Sequence, residues 1–398
     1  MTDIASDTPR SSIKAAAHSD PLLVPVLSAA NFVIGMGAFV IIGILNPIAT
    51  DLSLTTAQAG WIMTVYAVSY AILSPVLVAA TGHICRCRVL TAGLTLFTVA
   101  NIGCALAPTE TLLYAARLIA AGGAGIVTPV TAAVAAATSP PETRGKVLAS
   151  VLFGLTLAQV VGVPAGSFIA YTFGWRSAFA VVAVLCLPCI WMIWMRVPRG
   201  LSFQTVSLAD LRHVLANGPV MLAVLFTTSF LGAIYVIFTF LGPLLTGTLG
   251  FGRDGITVAL VIIGIGAVLG NYLGGLATDK LGPFKTLLCL AITQALIMPF
   301  FSTLPQPQFV VFAMMLVWST FAWSFMAAQQ VRLISIEPEK ASVVLALNAA
   351  AIYVGAAVGS AIGGAVLSGF GLTALGVTGG LMALVAAAHI VISKRLTP

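Results

Sequence analysis

Residues 37–47 read Gly37-Ala38-Phe39-Val40-Ile41-Ile42-Gly43-Ile44-Leu45-Asn46-Pro47. A near copy returns as Gly232-Ala233-Ile234-Tyr235-Val236-Ile237, closing on Gly242-Pro243, at an offset of 195 or 196. Gly60 and Gly255 stand at the same offset of 195, and the basic loop 82–88 matches 279–285 at 197. Three landmarks at nearly one spacing make this an internally repeated chain. Each copy of the motif lies inside a long apolar run, and those runs decide what kind of repeat it is.

Twelve runs can be marked: 22–48, 57–81, 89–107, 112–137, 147–171, 177–195, 219–246, 255–277, 286–303, 308–331, 342–368 and 373–393. About 20 apolar residues cross a bilayer as a helix, so each run predicts one span. Composition agrees. Only 29 of 398 residues are charged, 7% of the chain, whereas a soluble protein carries about 25%. With 60% hydrophobic residues, neither a water-facing surface nor a disordered chain can be built. The expectation is an all-α membrane protein of twelve transmembrane helices in two pseudo-symmetric six-helix halves. The domains are then a cytoplasmic tail (1–20), a first half (21–195), a cytoplasmic linker (196–218), a second half (219–394) and a short cytoplasmic C-terminus (395–398).

The net charge of +7 does not point to nucleic acid, because the basic residues sort by side. With the N-terminus inside, 15 of 18 Lys and Arg fall on the cytoplasmic side, Arg332 among them; Arg176 and Arg253 fall outside and Arg117 lies within a span. That bias predicts both termini in the cytoplasm. Residues 1–20 carry Asp3, Asp7, Arg10, Lys14 and Asp20, which does not fit a signal peptide. Cys186-x-x-Cys189 has no second pair, so the six cysteines read as small hydrophobes, with no metal and no cofactor expected.

Parallel six-span repeats place a ligand site near the midplane between the halves, which predicts a transporter. Several motifs then carry a family resemblance. Gly275-Leu276-Ala277-Thr278-Asp279-Lys280-Leu281-Gly282-Pro283 resembles the G-x-x-x-D-[RK]-x-G loop of the major facilitator superfamily. Arg117 through Gly122 to Gly125 resembles its R-x-x-x-G-x-G span motif. Gly162-Val163-Pro164-Ala165-Gly166 resembles the G-x-x-x-G-P-x-x-G-G motif of the drug:proton antiporter branch, in the form common among sugar and purine effluxers. The resemblance covers about residues 21–394. It implies the superfamily fold, alternating access, a small-molecule substrate, proton drive, export and an inner or plasma membrane location, with a monomer expected in the lipid.

The first-half loop departs from the motif. Gly82 stands where the family has Asp and His83 where Arg is usual, while Arg86 and Arg88 remain. By the resemblance, Asp279 then supplies most of the latch between the halves, against the start of the fifth span near Arg144 to Leu148. A loop-orienting role for Asp279 stands beside that reading.

No acid sits in the middle of any of the twelve runs. Three proton readings follow: Asp51 at the outer end of the first span, with its titration tuned by burial; His389 in the last span; or competition at Arg117. An intramembrane Arg is costly and marks a functional site by default, although a structural Arg bonding helix carbonyls is the competing reading. The candidate pathway residues are Asn31, Asp51, Tyr66, Tyr70, Arg117, Gln159, Tyr235, Asn271, Trp323, Gln329, Asn348 and Tyr353. Without a carboxylate the cavity lacks an ion-pair partner for cations, so neutral or anionic amphipathic substrates are expected, of drug, sugar or purine type. No G-x-x-x-x-G-K-[ST] loop is present to support ATP drive. A membrane enzyme would need clustered acids or His, which the sequence lacks. A passive facilitator or importer on the same fold stays as the alternative.

Overall fold

A computed structural model describes residues 20–140, 143–201 and 214–396. The tail residues 1–19, linker residues 202–213 and the last two residues lie outside it, so the readings of Arg10, Lys14, Asp210 and Arg212 do too. Among the described residues eleven helices are long and apolar enough to cross a membrane, and one bent pair adds a twelfth. We number the spans α1 (Leu23–Phe39 and Ile41–Asp51), α2 (Thr56–Ala80), α3 (Arg86–Leu106), α4 (Glu110–Thr138), α5 (Arg144–Phe173), α6 (Trp175–Arg196), α7 (Gly218–Leu249), α8 (Arg253–Leu281), α9 (Pro283–Thr303), α10 (Gln308–Ile336), α11 (Val343–Phe370) and α12 (Ala374–Leu396). All twelve expected runs are helices. Asp20 and Leu396 mark one end of the bundle, here the basal end; Asp51, Arg176 and Arg253 mark the distal end.

The spans start where polar side chains satisfy free backbone N–H groups. Thr55 and Gln58 form a reciprocal capping box at α2: Gln58 N donates to Thr55 Oγ1 (3.2 Å) and Thr55 N to Gln58 Oε1 (2.8 Å). Asn217 caps α7 through Val220 N. The tight distal turn into α6 and the basal turn into α9 use Gly174 (φ +89°) and Gly282 (φ +77°), a backbone region that disfavours side chains.

Two prolines would leave bare carbonyls inside the bundle. Pro47 has no N–H to offer the Gly43 carbonyl four residues back, and Ser167 Oγ of α5 donates to that carbonyl instead (3.1 Å). Pro129 does the same to Gly125 in α4, and Ser74 Oγ of α2 fills the gap (2.6 Å). In lipid no water is available for this task, so a hydroxyl from a neighbouring helix takes it.

Glycine governs how closely the helices approach. A Cβ on Gly166 would lie 2.5 Å from Val40 Cγ2, and one on Gly162 3.2 Å from Met36 Cβ, so the α5 motif is the surface on which α1 lies. Just before it, Ala158–Gly162 widens into a π-helical turn. In α4 the close approach falls on Gly123, whose Cβ would meet the Gly93 carbonyl at 2.6 Å, while Gly122 has ordinary contacts. In α8, Gly275 faces open space, and it is Gly274 that lies against the Ser324 backbone.

α4 and α7 are the most enclosed spans, with 67% and 72% of their most apolar window buried, against 33% for α5. Outward faces carry Ile72, Leu106, Phe173, Trp191 and Phe370, all exposed, as a lipid-facing surface requires.

The halves meet from the middle of the bundle to the distal end. α2 packs on α11, α5 on α8, and the distal piece of α1 on the distal part of α7. Ser360 Oγ donates to the Gly60 carbonyl (3.1 Å). Phe240 sits between Gly60 and Gly363: a Cβ added at Gly60 would run into its ring, and one at Gly363 would lie 2.8 Å from it. Val160 of the π-helical turn faces Gly264, and Leu260 faces Gly43. At the basal end Arg144, Lys146 and Asp279 are exposed, and none joins the three ion pairs among the described residues. This is the arrangement closed distally.

Candidate functional site

The first span breaks by 41° at Val40. Backbone bonds around the break run from Val40 N to Met36 O and from Gly43 N to Val40 O. The Gly37 and Ala38 carbonyls instead accept from Arg117, Nη1 at 2.7 Å and Nη2 at 3.0 Å. Arg117 is fully buried. Its guanidinium lies 4.1 Å from the centroid of the Tyr66 ring and 5.9 Å from that of Phe179, both cation–π distances. A charge with no carboxylate beside it is thus held by carbonyl dipoles and ring faces. The sequence posed a carbonyl-bonding Arg against a pathway Arg; the geometry has the carbonyl-bonding one.

Tyr66 continues the cluster across the halves. Its ring is 6.4 Å from Tyr70 and 6.5 Å from Tyr353 of α11. Tyr70 and Tyr353 stack at 3.6 Å, interplanar angle 21°. Two buried polar atoms are left without a partner here, the Tyr66 hydroxyl and Arg117 Nε. Tyr235, Phe238 and Trp323 form a second aromatic run in the other half, with centroids 5.5 and 5.1 Å apart.

So Tyr66, Tyr70, Arg117 and Tyr353 come together, Tyr235 and Trp323 meet through Phe238, and the remaining candidates lie apart. Asn31 Nδ2 lies within reach of Leu27 O, Thr131 Oγ1 (2.9 Å) and Val151 O, tying α1 to α4 and α5. Gln329 Nε2 donates to Ala223 O (2.8 Å), and Asn348 Oδ1 accepts from Thr227 Oγ1 (2.5 Å), tying α10 and α11 to α7. Gln159 is half-buried in the π-helical turn, and Asn271 is exposed. Asp51 sits at the distal end, ion-paired with Arg176 and accepting from Trp175 Nε1 (3.0 Å). Arg176 Nη2 also donates to Ala107 O (2.9 Å), so this group staples α1, α3 and α6. His389 places Nε2 2.8 Å from Leu222 O and Nδ1 2.7 Å from Ser229 Oγ. A carbonyl accepts only from a donor, so Nε2 carries a proton, while Nδ1 shares a hydrogen bond with Ser229 Oγ, which also lies within reach of the Leu225 carbonyl.

Two basic residues differ from their reading as loop charges. Arg332, expected on the cytoplasmic side outside the spans, is helical within α10 and 5% exposed, because its Nη2 reaches Ser393 Oγ on α12 (2.7 Å). Arg117 is therefore not the sole Arg inside a span. Arg86 is buried and turns back on the end of α2, donating to Thr81 O and Gly82 O. Arg88 stays exposed.

Two six-span repeats packed against each other are the architecture of a membrane transporter. The Major Facilitator Superfamily profile matches residues 27–341, and the chain belongs to that family. It is a multi-pass membrane transporter for small molecules and not an enzyme. It is 29% identical to the inner membrane transport protein YdhP of Escherichia coli K12, over 95% of this chain and 97% of that one. It is 32% identical to a chloramphenicol resistance protein of Streptomyces lividans, over 65% and 67%. A solved bacterial homolog of the human lysosomal transporter Spinster, inward-facing and unoccupied, superposes with a TM-score of 0.77 at 18% identity, covering 98% of each chain, which shows the shared fold.

Proposed function

We propose that the chain exports small neutral or anionic amphipathic molecules by alternating access, driven by the proton gradient, with both termini in the cytoplasm of the inner or plasma membrane. The observation that carries this is the pair of buried, partnerless donors, Tyr66 hydroxyl and Arg117 Nε, beside the Tyr70–Tyr353 stack. Ring faces suit a planar body, and the donors suit an acceptor group on its edge. The uncompensated Arg117 charge repels cations. The antiporter-branch motif and the similarity to a chloramphenicol resistance protein support export. With the basal side cytoplasmic, the distally closed arrangement is the one that loads from the cytoplasm. In this reading Asp279, exposed here, engages the basal end of α5 once the distal side opens.

Inverted vesicles with an acidic interior test the proposal. Accumulation of chloramphenicol, a neutral aromatic amide, is expected, abolished by a protonophore and by Arg117→Ala. Uptake of ethidium at a comparable rate overturns the substrate class. Equilibration without accumulation overturns proton drive and leaves a facilitator.

A further inference from the structure

The basal corner between α3 and α6 holds a cavity of about 320 Å³ lined by Cys85, Cys87, Arg88, Trp194, Arg199 and Gly200. Among the described residues its two cations have no ion-pair partner: none of the three ion pairs uses Arg88 or Arg199, and Asp20, which lies against Arg196 at the basal end of α6, is paired with that residue. The Arg199 guanidinium rests 5.5 Å from the Trp194 ring centroid, which orients it on an aromatic wall. The loop that frames the cavity has Gly82 where the second half has Asp279, so no carboxylate enters from that side. Burial pushes the Cys85 thiol up, yet the N–H groups of Gly200, Arg88 and Cys87 and the Arg88 charge outweigh it and hold the thiol below its ordinary range.

A second cavity lies on the same α3–α6 seam. It measures about 250 Å³ and is walled by apolar side chains and Thr98, including Ile102, Leu106, Val184 and Leu187, all exposed on the outer face. Thr98 spends its hydroxyl proton on Leu94 O (2.7 Å), so it brings no free donor. Arg88 and Thr98 are ten residues apart on α3, about 15 Å at the helical rise, or one leaflet of the ~30 Å hydrocarbon core; from Thr98 the hollow continues along α3 to Leu106 at the distal end. The exposed Trp194 stands at the depth where interfacial tryptophans anchor. A cationic cavity at the interface and an apolar hollow one leaflet deeper match one kind of molecule. A soluble phosphate would have no use for the hollow.

We infer that this seam is a binding site for an anionic phospholipid, with its phosphate between Arg88 and Arg199 and an acyl chain running along α3–α6 toward the hollow at Thr98. The site is separate from the tyrosine–arginine cluster and does not depend on the substrate proposed above.

Native mass spectrometry of the full chain tests it after exchange into mixed phosphatidylglycerol–phosphatidylethanolamine micelles. Wild-type protein is expected to retain phosphatidylglycerol over phosphatidylethanolamine, and Arg88→Gln with Arg199→Gln to lose that preference by 10-fold or more. Each single variant, Arg88→Gln and Arg199→Gln, is expected to weaken the preference, whereas Arg196→Gln, with the same loss of one charge but from a paired Arg, is the control and is expected to change it less than 2-fold. Ala183→Trp, which fills the hollow, is expected to weaken retention with both arginines in place. Equal retention by wild type and the double variant overturns the site, as does an equal loss in Arg196→Gln. Displacement of the lipid by millimolar inorganic phosphate, or no effect of Ala183→Trp, overturns the lipid assignment in favour of a free anion. A melting curve within 3 °C of wild type confirms that the variants are folded.

Discussion

Arg117 donates to the carbonyls of Gly37 and Ala38 where the first span breaks, so a residue of α4 completes the backbone bonding of α1. Removing it exposes two buried acceptors, each costing about 1–3 kcal/mol. Arg117→Ala is expected to lower the melting temperature in detergent and abolish transport. Arg117→Lys keeps the charge but not the planar fork. It is expected to remain in the membrane at normal levels and to transport at least 10-fold more slowly. Wild-type transport by Arg117→Lys would show that charge alone matters there.

The Tyr70–Tyr353 stack joins the halves through ring faces. Aromatic pairs contribute about 0.5–1.5 kcal/mol beyond burial, or about 2- to 10-fold. Tyr70→Phe is expected to retain transport of an aromatic substrate, and Tyr70→Leu to lose it by that factor. Equal losses in both would assign the effect to the hydroxyl.

Phe240 occupies a socket made by Gly60 on one half and Gly363 on the other. Gly60→Val is expected to force the ring out and shift the protein toward a distally open form. Spin labels at Ser53 and Thr246 would report this as a longer distance component. Phe240→Ala in the same background is expected to restore the short one. An unchanged distance distribution in Gly60→Val would show that the socket does not hold the distal closure.

Asp51 is half-exposed and already paired with Arg176. Exposed pairs contribute about 0–1 kcal/mol. Asp51→Asn is therefore expected to leave stability nearly unchanged and to leave the pH dependence of vesicle uptake as in wild type. A flattened pH profile would make Asp51 the coupling group after all.

The twelve spans were legible because lipid demands long apolar runs, and no tertiary contact can override that demand. The repeat was legible because copies keep their spacing. The break at Val40 was not, since its bonding comes from Arg117, 77 positions away. Asn31, Gln329 and Asn348 show a second limit. Sequence does not say whether a polar residue in an apolar run meets a cavity or a neighbouring helix; here each reaches a helix, although the amide oxygens of Asn31 and Gln329 are left without a partner. Arg332 shows a third: a charge near the end of a run reads as loop, although its side chain can turn inward to a serine. Of the central cluster, the tyrosines and Arg117 could be picked out one by one. Their meeting across the halves could not.

The serines that answer Pro47 and Pro129 have a consequence for how this chain tolerates change. Ser167→Ala alone strips the Gly43 carbonyl of its donor, whereas Ser167→Ala with Pro47→Ala returns a backbone N–H to it. The pair should be strongly non-additive, the double replacement gentler than the single. Ser74 and Pro129 stand in the same relation. Residues on separate helices, more than 50 positions apart, thus behave as single mutable units, and drift at either member is confined until the other moves.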